Sequence, residues 1–128
     1  MKNTLLDNFY TEISSTFSTE NQFDFSCVIN LNAEHPIYKG HFEQVPVTPG
    51  VCLTQIIKEL LMNKFQKELR MTQGDNIKYL AIINPKECPQ ITVSFQVKDN
   101  EDPLSVNATF SHGSVTYVKF KGKFSQDS

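Results

Sequence analysis

One segment of this chain repeats its apolar residues with the period of a helix, and the segments around it repeat theirs with the period of a strand. Leu53, Ile56, Ile57, Leu60 and Leu61 follow the i, i+3, i+4, i+7, i+8 spacing that lines one stripe of a helix. Thr48 suits the capping position and Pro49 the first helical position, so a helix is expected from about Pro49 to about Leu69. Phe65 and Leu69 carry it on, and Gln73-Gly74-Asp75 reads as the turn that ends it. Before it, Phe23, Phe25, Cys27, Ile29 and Leu31 stand at every second position, as in a half-buried strand. After it only strands are expected: Ile77 to Ile83, Ile91 to Val97, Leu104 to Phe110, and Val115 to Phe124 beyond a His112-Gly113-Ser114 turn. A short opening segment, Leu5 to Ser14, is compatible with a helix. One long helix without a second of its kind must bury its stripe against the apolar faces of the strands. The fold class is therefore α+β, an antiparallel sheet wrapped around one long central helix.

At 128 residues, with no internal repeat and no linker-like stretch, the chain is expected to form a single domain over residues 1–128. Hydrophobic residues make up 39% and charged residues 20%, enough apolar surface to exclude a disordered chain. Twelve Lys and Arg against fourteen Asp and Glu give a net charge of −2, which leaves no overall basic footprint for nucleic acid. No apolar run is long enough to cross a bilayer, and the opening MKNTLLDNFYTEI lacks the uninterrupted apolar segment of a signal peptide, so a cytoplasmic protein without membrane partners is expected. Cys27, Cys52 and Cys88 lie far apart without CxxC spacing, which argues for reduced packing thiols and against both a disulfide framework and a zinc site.

Between the first strand and the helix runs Ala33 to Pro49, a long connection holding Pro36, Gly40, Pro46, Pro49 and two of the three histidines, His35 and His41. Within it, Gly40-His41-Phe42, Pro46-Val47 and Pro49-Gly50-Val51 stand in order and open directly into the helix. This stretch resembles the GHFPxxPVxPGV signature of the hot-dog-fold β-hydroxyacyl-acyl carrier protein dehydratases. The resemblance implies a hot-dog fold and a dimer in which His41 is the catalytic base. It also implies a carboxylate on the central helix, fourteen residues after His41 and supplied by the other subunit. This chain carries Gln55 there. It also has Glu43 where the signature has Pro, a carboxylate near His41 that is expected to face water.

Dehydrating a 3-hydroxyacyl thioester needs a base for the C2 proton, donors for the enolate oxygen and a proton for the departing hydroxyl. A neutral imidazole suits the first task near neutral pH. The N–H groups of Gly50 and Val51, unpaired in the first helical turn and aided by the helix dipole, suit the second. The resemblance implies that Phe42 shapes the loop beside them. An amide cannot supply the proton as a carboxylic acid does, so Gln55 is expected to hold the hydroxyl while protonated His41 returns its proton. Glu59, one turn on, is the alternative carboxylate on the same face. His35 and His112 are read as structural or exposed. Lys119, Lys121 and Lys123 read as a solvated edge strand guarded by charge, or as a surface on which an acidic acyl carrier protein could dock.

The leading expectation is thus a 3-hydroxyacyl-acyl carrier protein dehydratase-like homodimer, with a higher oligomer or a heterodimer also open. It takes an acyl carrier protein or CoA thioester and needs no cofactor and no metal. The competing reading is a non-catalytic subunit that binds acyl chains or acyl carrier protein, or the inactive half of a dehydratase heterodimer. Thioester hydrolysis has less support, because Gln55 cannot activate water.

Overall fold

The computed structural model describes residues 8–17, 24–38, 48, 50–98 and 103–126, with only the backbone described at Ile37, Gly74 and Asp75. In chain order the elements are β1 (Tyr10–Phe17), β2 (Phe25–Leu31), a single 3-10 turn (Pro36–Tyr38), α1 (Gly50–Phe65), β3 (Leu69–Tyr79), β4 (Gln90–Val97), β5 (Leu104–His112) and β6 (Val115–Gln126). The strands form one antiparallel sheet in the order β1-β2-β4-β5-β6-β3. Strict alternation in β2, β4, β5 and β6 turns every second residue inward. The five stripe residues of α1 are all buried, in one core cluster with these inward side chains. Their burial is worth roughly 10 kcal/mol as an upper figure, which is why the one helix organises the sheet. Across the β2–β4 ladder, Phe25 stands opposite Phe95 with the rings stacked at 4.4 Å.

Four boundaries differ from the sequence reading, each for a local reason. Within Leu5 to Ser14, the part that is described enters a strand. Tyr10, Thr11, Ile13, Thr16 and Phe17 are strand-forming types, and β1 covers the outer edge of β2 from Tyr10↔Leu31 to Phe17↔Phe25. Phe23, expected to start the first long strand, lies outside the described residues. The helix stops at Phe65, four residues early, because Gln66 takes a left-handed backbone (φ 55). The Lys67 N–H then donates to the Met62 carbonyl at 3.4 Å, and the Gln66 amide donates to the Asn63 carbonyl at 2.6 Å. This is a Schellman-type ending with Gln in the place usually held by Gly, which left no punctuation to read.

The expected turn at Gln73-Gly74-Asp75 lies inside β3, which absorbs it as register shifts between Met71 and Gln73 and between Gly74 and Asn76. Of the strand expected over Ile77 to Ile83, only Ile77 to Tyr79 is strand. Beyond it the Leu80 and Ala81 amides both donate to the Tyr117 carbonyl, at 2.8 and 3.1 Å, and the chain leaves the sheet. The edges of the sheet are β1 and β3. Lys119, Lys121 and Lys123 therefore sit on an interior strand, and the edge-strand reading of them is corrected. Gly113 (φ 59) opens a two-residue hairpin loop between β5 and β6, as a type II′ turn requires.

Candidate functional site

The entrance of α1 is fixed by a short polar strap. Thr48 is buried, and both its backbone N–H and its hydroxyl donate to the Ile83 carbonyl, at 3.1 and 3.2 Å. With that proton committed, the Tyr38 phenol is the donor in its 3.0 Å bond to the Thr48 hydroxyl. Tyr38 in turn stacks on Phe9 at 5.5 Å. The expected capping residue thus uses its side chain to tie the helix entrance to the segment that follows β3.

That segment walls a cleft of about 420 Å³, mostly apolar, at the start of the helix. Gly50 and Leu53 form its helical side, Tyr79 to Ile83 its other side, with Val118 behind. Leu80 (54% exposed) and Ile82 (64%) keep apolar side chains in the open, as does Val51 (68%) on the first helical turn. The Gly50 and Val51 amides belong to the turn whose N–H groups have no intrahelical acceptor. The Tyr79 hydroxyl rests on the Cα of Gly50, and a Cβ there would collide with it. Glycine at 50 is thereby explained sterically, and Tyr79, a residue that sequence reasoning missed, lies over it.

Gln55 lies on a different flank of the helix. It is half-buried, and its side-chain N–H donates to Glu59 Oε2 at 3.1 Å. Glu59 is buried, and its Oε1 accepts from the Tyr10 phenol at 2.8 Å. Burial, then the bond to Glu59, drives the Tyr10 phenol well above its ordinary range. Because only an N–H can face a carboxylate, the Gln55 carbonyl oxygen and its second N–H are left for other partners. Neither Gln55 nor Glu59 lines the cleft at the helix start. Gly50 lines that cleft and Val51, the next residue of the helix, does not, while Gln55 is held apart with Glu59. Tyr10 carried no signal in the sequence, because its segment was not read as a strand.

His41 and Phe42, with Glu43, Pro46, Val47 and Pro49, lie outside the described residues. His35 meets the Phe9 ring edge-on at 5.2 Å and anchors the 3-10 turn, its amide bonded to the Asn32 carbonyl and its carbonyl accepting from Tyr38. His112 is exposed at the end of β5. The cysteines are unpaired. Cys27 and Cys52 are core residues whose thiols burial pushes up, Cys27 to about 12, so neither is poised as a nucleophile. Among the described residues no three His, Cys, Asp or Glu side chains gather as metal ligands would, and no helix is long and apolar enough to cross a membrane.

None of the curated proteins matches the sequence. Solved structures do. An uncharacterized protein from Erwinia carotovora subsp. atroseptica superposes with a TM-score of 0.70 at 15% identity, over 91% of this chain and 96% of that one. The dehydratase heterocomplex ApeI:P from Xenorhabdus doucetiae gives 0.69 at 16% identity, over 90% and 96%. A conserved protein from Pseudomonas aeruginosa gives 0.63 at 14%, over 99% and 96%. At such identities the likeness is one of fold, and the fold is the hot-dog architecture, a sheet curled about one helix. The family model described as ApeI dehydratase matches residues 16–121, from the end of β1 into β6, and the chain belongs to the ApeI-like dehydratase family.

Proposed function

We propose that the chain eliminates water from a 3-hydroxyacyl thioester to give a trans-2-enoyl thioester. The observation that carries this reading is the apolar cleft at the first turn of α1, where backbone donors and room for an acyl chain meet. In this reading His41 removes a C2 proton. The Gly50 and Val51 amides hold the oxygen of the enolate that forms, with Phe42 shaping the loop beside them. Gln55 holds the C3 hydroxyl, which departs as water with the proton that His41 returns. The carbon–oxygen bond broken at C3 and the C–H bond broken at C2 account for the new double bond, and no cofactor takes part. Tyr79, 59% exposed, swings off Gly50 to admit the thioester.

Because Gln55 and the cleft occupy different flanks of the helix, the complete site of this reading lies between two chains, His41 of one protomer facing Gln55 of its partner in a homodimer. The substrate arrives on an acyl carrier protein or on CoA, in the cytoplasm, as a step of fatty acid or related lipid metabolism. The test is hydration of an enoyl thioester by the purified chain. Wild type is expected to turn over and His41→Ala to lose about 10²–10⁴-fold, the usual contribution of such a base. Equal rates would remove the proposed base.

A second reading is favoured by two observations, the amide at position 55 and the likeness to a dehydratase that is a heterocomplex. Here the chain is the non-catalytic partner of a chain that supplies the carboxylate. Turnover that begins only when such a partner is added, and that survives His41→Ala in this chain, would favour it.

A further inference from the structure

The outer face of the sheet, away from α1, carries an unusual charge pattern. On β3 and β6 the outward positions include Arg70, Lys78, Lys119, Lys121 and Lys123, five of the twelve Lys and Arg residues in the chain. Lys78 stands directly opposite Lys119, a like-charge cross-strand pair that works against the sheet. Their neighbours are donors of other kinds: Asn76 and Asn107 flank Lys121, and Thr109 flanks Lys119. Among the described side chains no carboxylate shares these rows. A groove of about 320 Å³ runs between Lys78, Lys119, Lys121 and the amides of Asn76, Gln96 and Asn107. Soluble surfaces ordinarily mix the two signs, and a one-sign face is kept where it steers a partner.

We infer that this face docks a protein presenting carboxylates from one side of an α-helix. Lysines at alternate residues of β6 recur about every 6.8 Å, and carboxylates at i and i+4 of a helix lie about 5–6 Å apart, a difference that flexible lysine side chains absorb. Single-stranded nucleic acid would need a run of aromatic platforms, and a lipid surface would need apolar side chains to insert; the residues directly opposite Lys119, Lys121 and Lys123 are Lys78, Asn76, Gln73, Thr109, Asn107 and Ser105. The face backs onto the wall of the cleft, since Tyr79 and Val118 point inward beside Lys78 and Lys119. The inference stands on the charge pattern and survives if turnover is never found. Where the dehydratase reading holds, it further specifies an acidic carrier protein as the bearer of the substrate.

The probe is a helical peptide with Glu at i, i+4 spacing along one face, titrated by fluorescence anisotropy beside a single-stranded DNA oligomer and phosphatidylserine vesicles. Peptide binding is expected to weaken when salt rises from about 50 to about 200 mM. It should fall about tenfold or more in Lys119→Glu/Lys121→Glu. It should hold in Lys67→Glu/Lys86→Glu, which changes net charge equally off the face. If circular dichroism shows the first variant unfolded, Lys119→Gln/Lys121→Gln replaces it. Equal loss in both pairs, no peptide binding, or tighter binding of DNA or vesicles overturns the inference. Absence of enoyl hydration by the wild-type chain, with peptide binding intact, would count against the dehydratase reading alone.

Discussion

The two flanks of α1 solve opposite problems. Toward the cleft the helix offers a bare glycine, backbone N–H groups and apolar side chains left partly in the open. Toward β1 it offers a buried carboxylate with both oxygens occupied, one by Tyr10 and one by Gln55. The first flank presents backbone N–H groups without intrahelical acceptors, while on the second both oxygens of the carboxylate are engaged and the Gln55 carbonyl and second N–H are left over. The comparison teaches that the amide at position 55 is matched to a carboxylate one turn along the same helix.

Gln55→Glu should break the comparison hardest. It would set two carboxylates in contact in a half-buried place, costing about 2–4 kcal/mol at pH 7 in chemical denaturation. The sign follows from the shared proton. Folding raises the affinity of the pair for it, so stability is whole below about pH 4, the unfolded carboxylate range, and drains as pH climbs past the raised value. The exchanged variant Gln55→Glu/Glu59→Gln restores a donor opposite an acceptor and should recover most of the loss; if it does not, the matched pair is the wrong account.

Glu59→Ala should cost about 2 kcal/mol and Tyr10→Phe about 1–2 kcal/mol, with the double variant well short of the sum because both remove one bond. Additive losses would show that Tyr10 acts elsewhere. On the cleft side, Thr48→Val removes a hydroxyl bonded on two sides and should cost about 1 kcal/mol in thermal unfolding. Smallest in stability is Gly50→Ala. Helix propensity favours Ala, while the new methyl presses the Tyr79 hydroxyl, so a change within about 0.5 kcal/mol is expected. Any enoyl hydration should nevertheless fall, and Tyr79→Phe should restore part of it by vacating the contact. An unchanged rate in Gly50→Ala would detach the helix entrance from the chemistry.

The central helix and the strands β2, β4, β5 and β6 were legible because their periodicity is their burial: the five stripe residues from Leu53 to Leu61 and the alternating apolar residues of Phe25–Leu31, Ile91–Val97, Leu104–Phe110 and Val118–Phe124 are inside. The ends were not. Gln66 stops the helix through a backbone angle that propensity does not announce, and Gly74, a turn former in isolation, sits in a strand whose partner β6 outbids it. Gly50 and Gln55 could be singled out by spacing along the chain. Their separation onto two flanks follows from the helical turn, but the grip of Glu59 and Tyr10 on Gln55 depends on a strand more than forty residues away. Tyr79 was missed for the same reason, since nothing local to it mentions Gly50.

In the dehydratase reading, the strap from Thr48 to the Ile83 carbonyl bears on which acyl tails the cleft would accept. It joins the two banks of the cleft by a main-chain and a side-chain bond at one point, so spreading the banks for a bulkier tail would strain the same bonds that seat the first helical turn. Girth is therefore priced in misaligned amides, whereas a longer slender tail meets no such penalty. In that reading, selectivity by branching more than by length is the expected outcome of such a hinge-less seam.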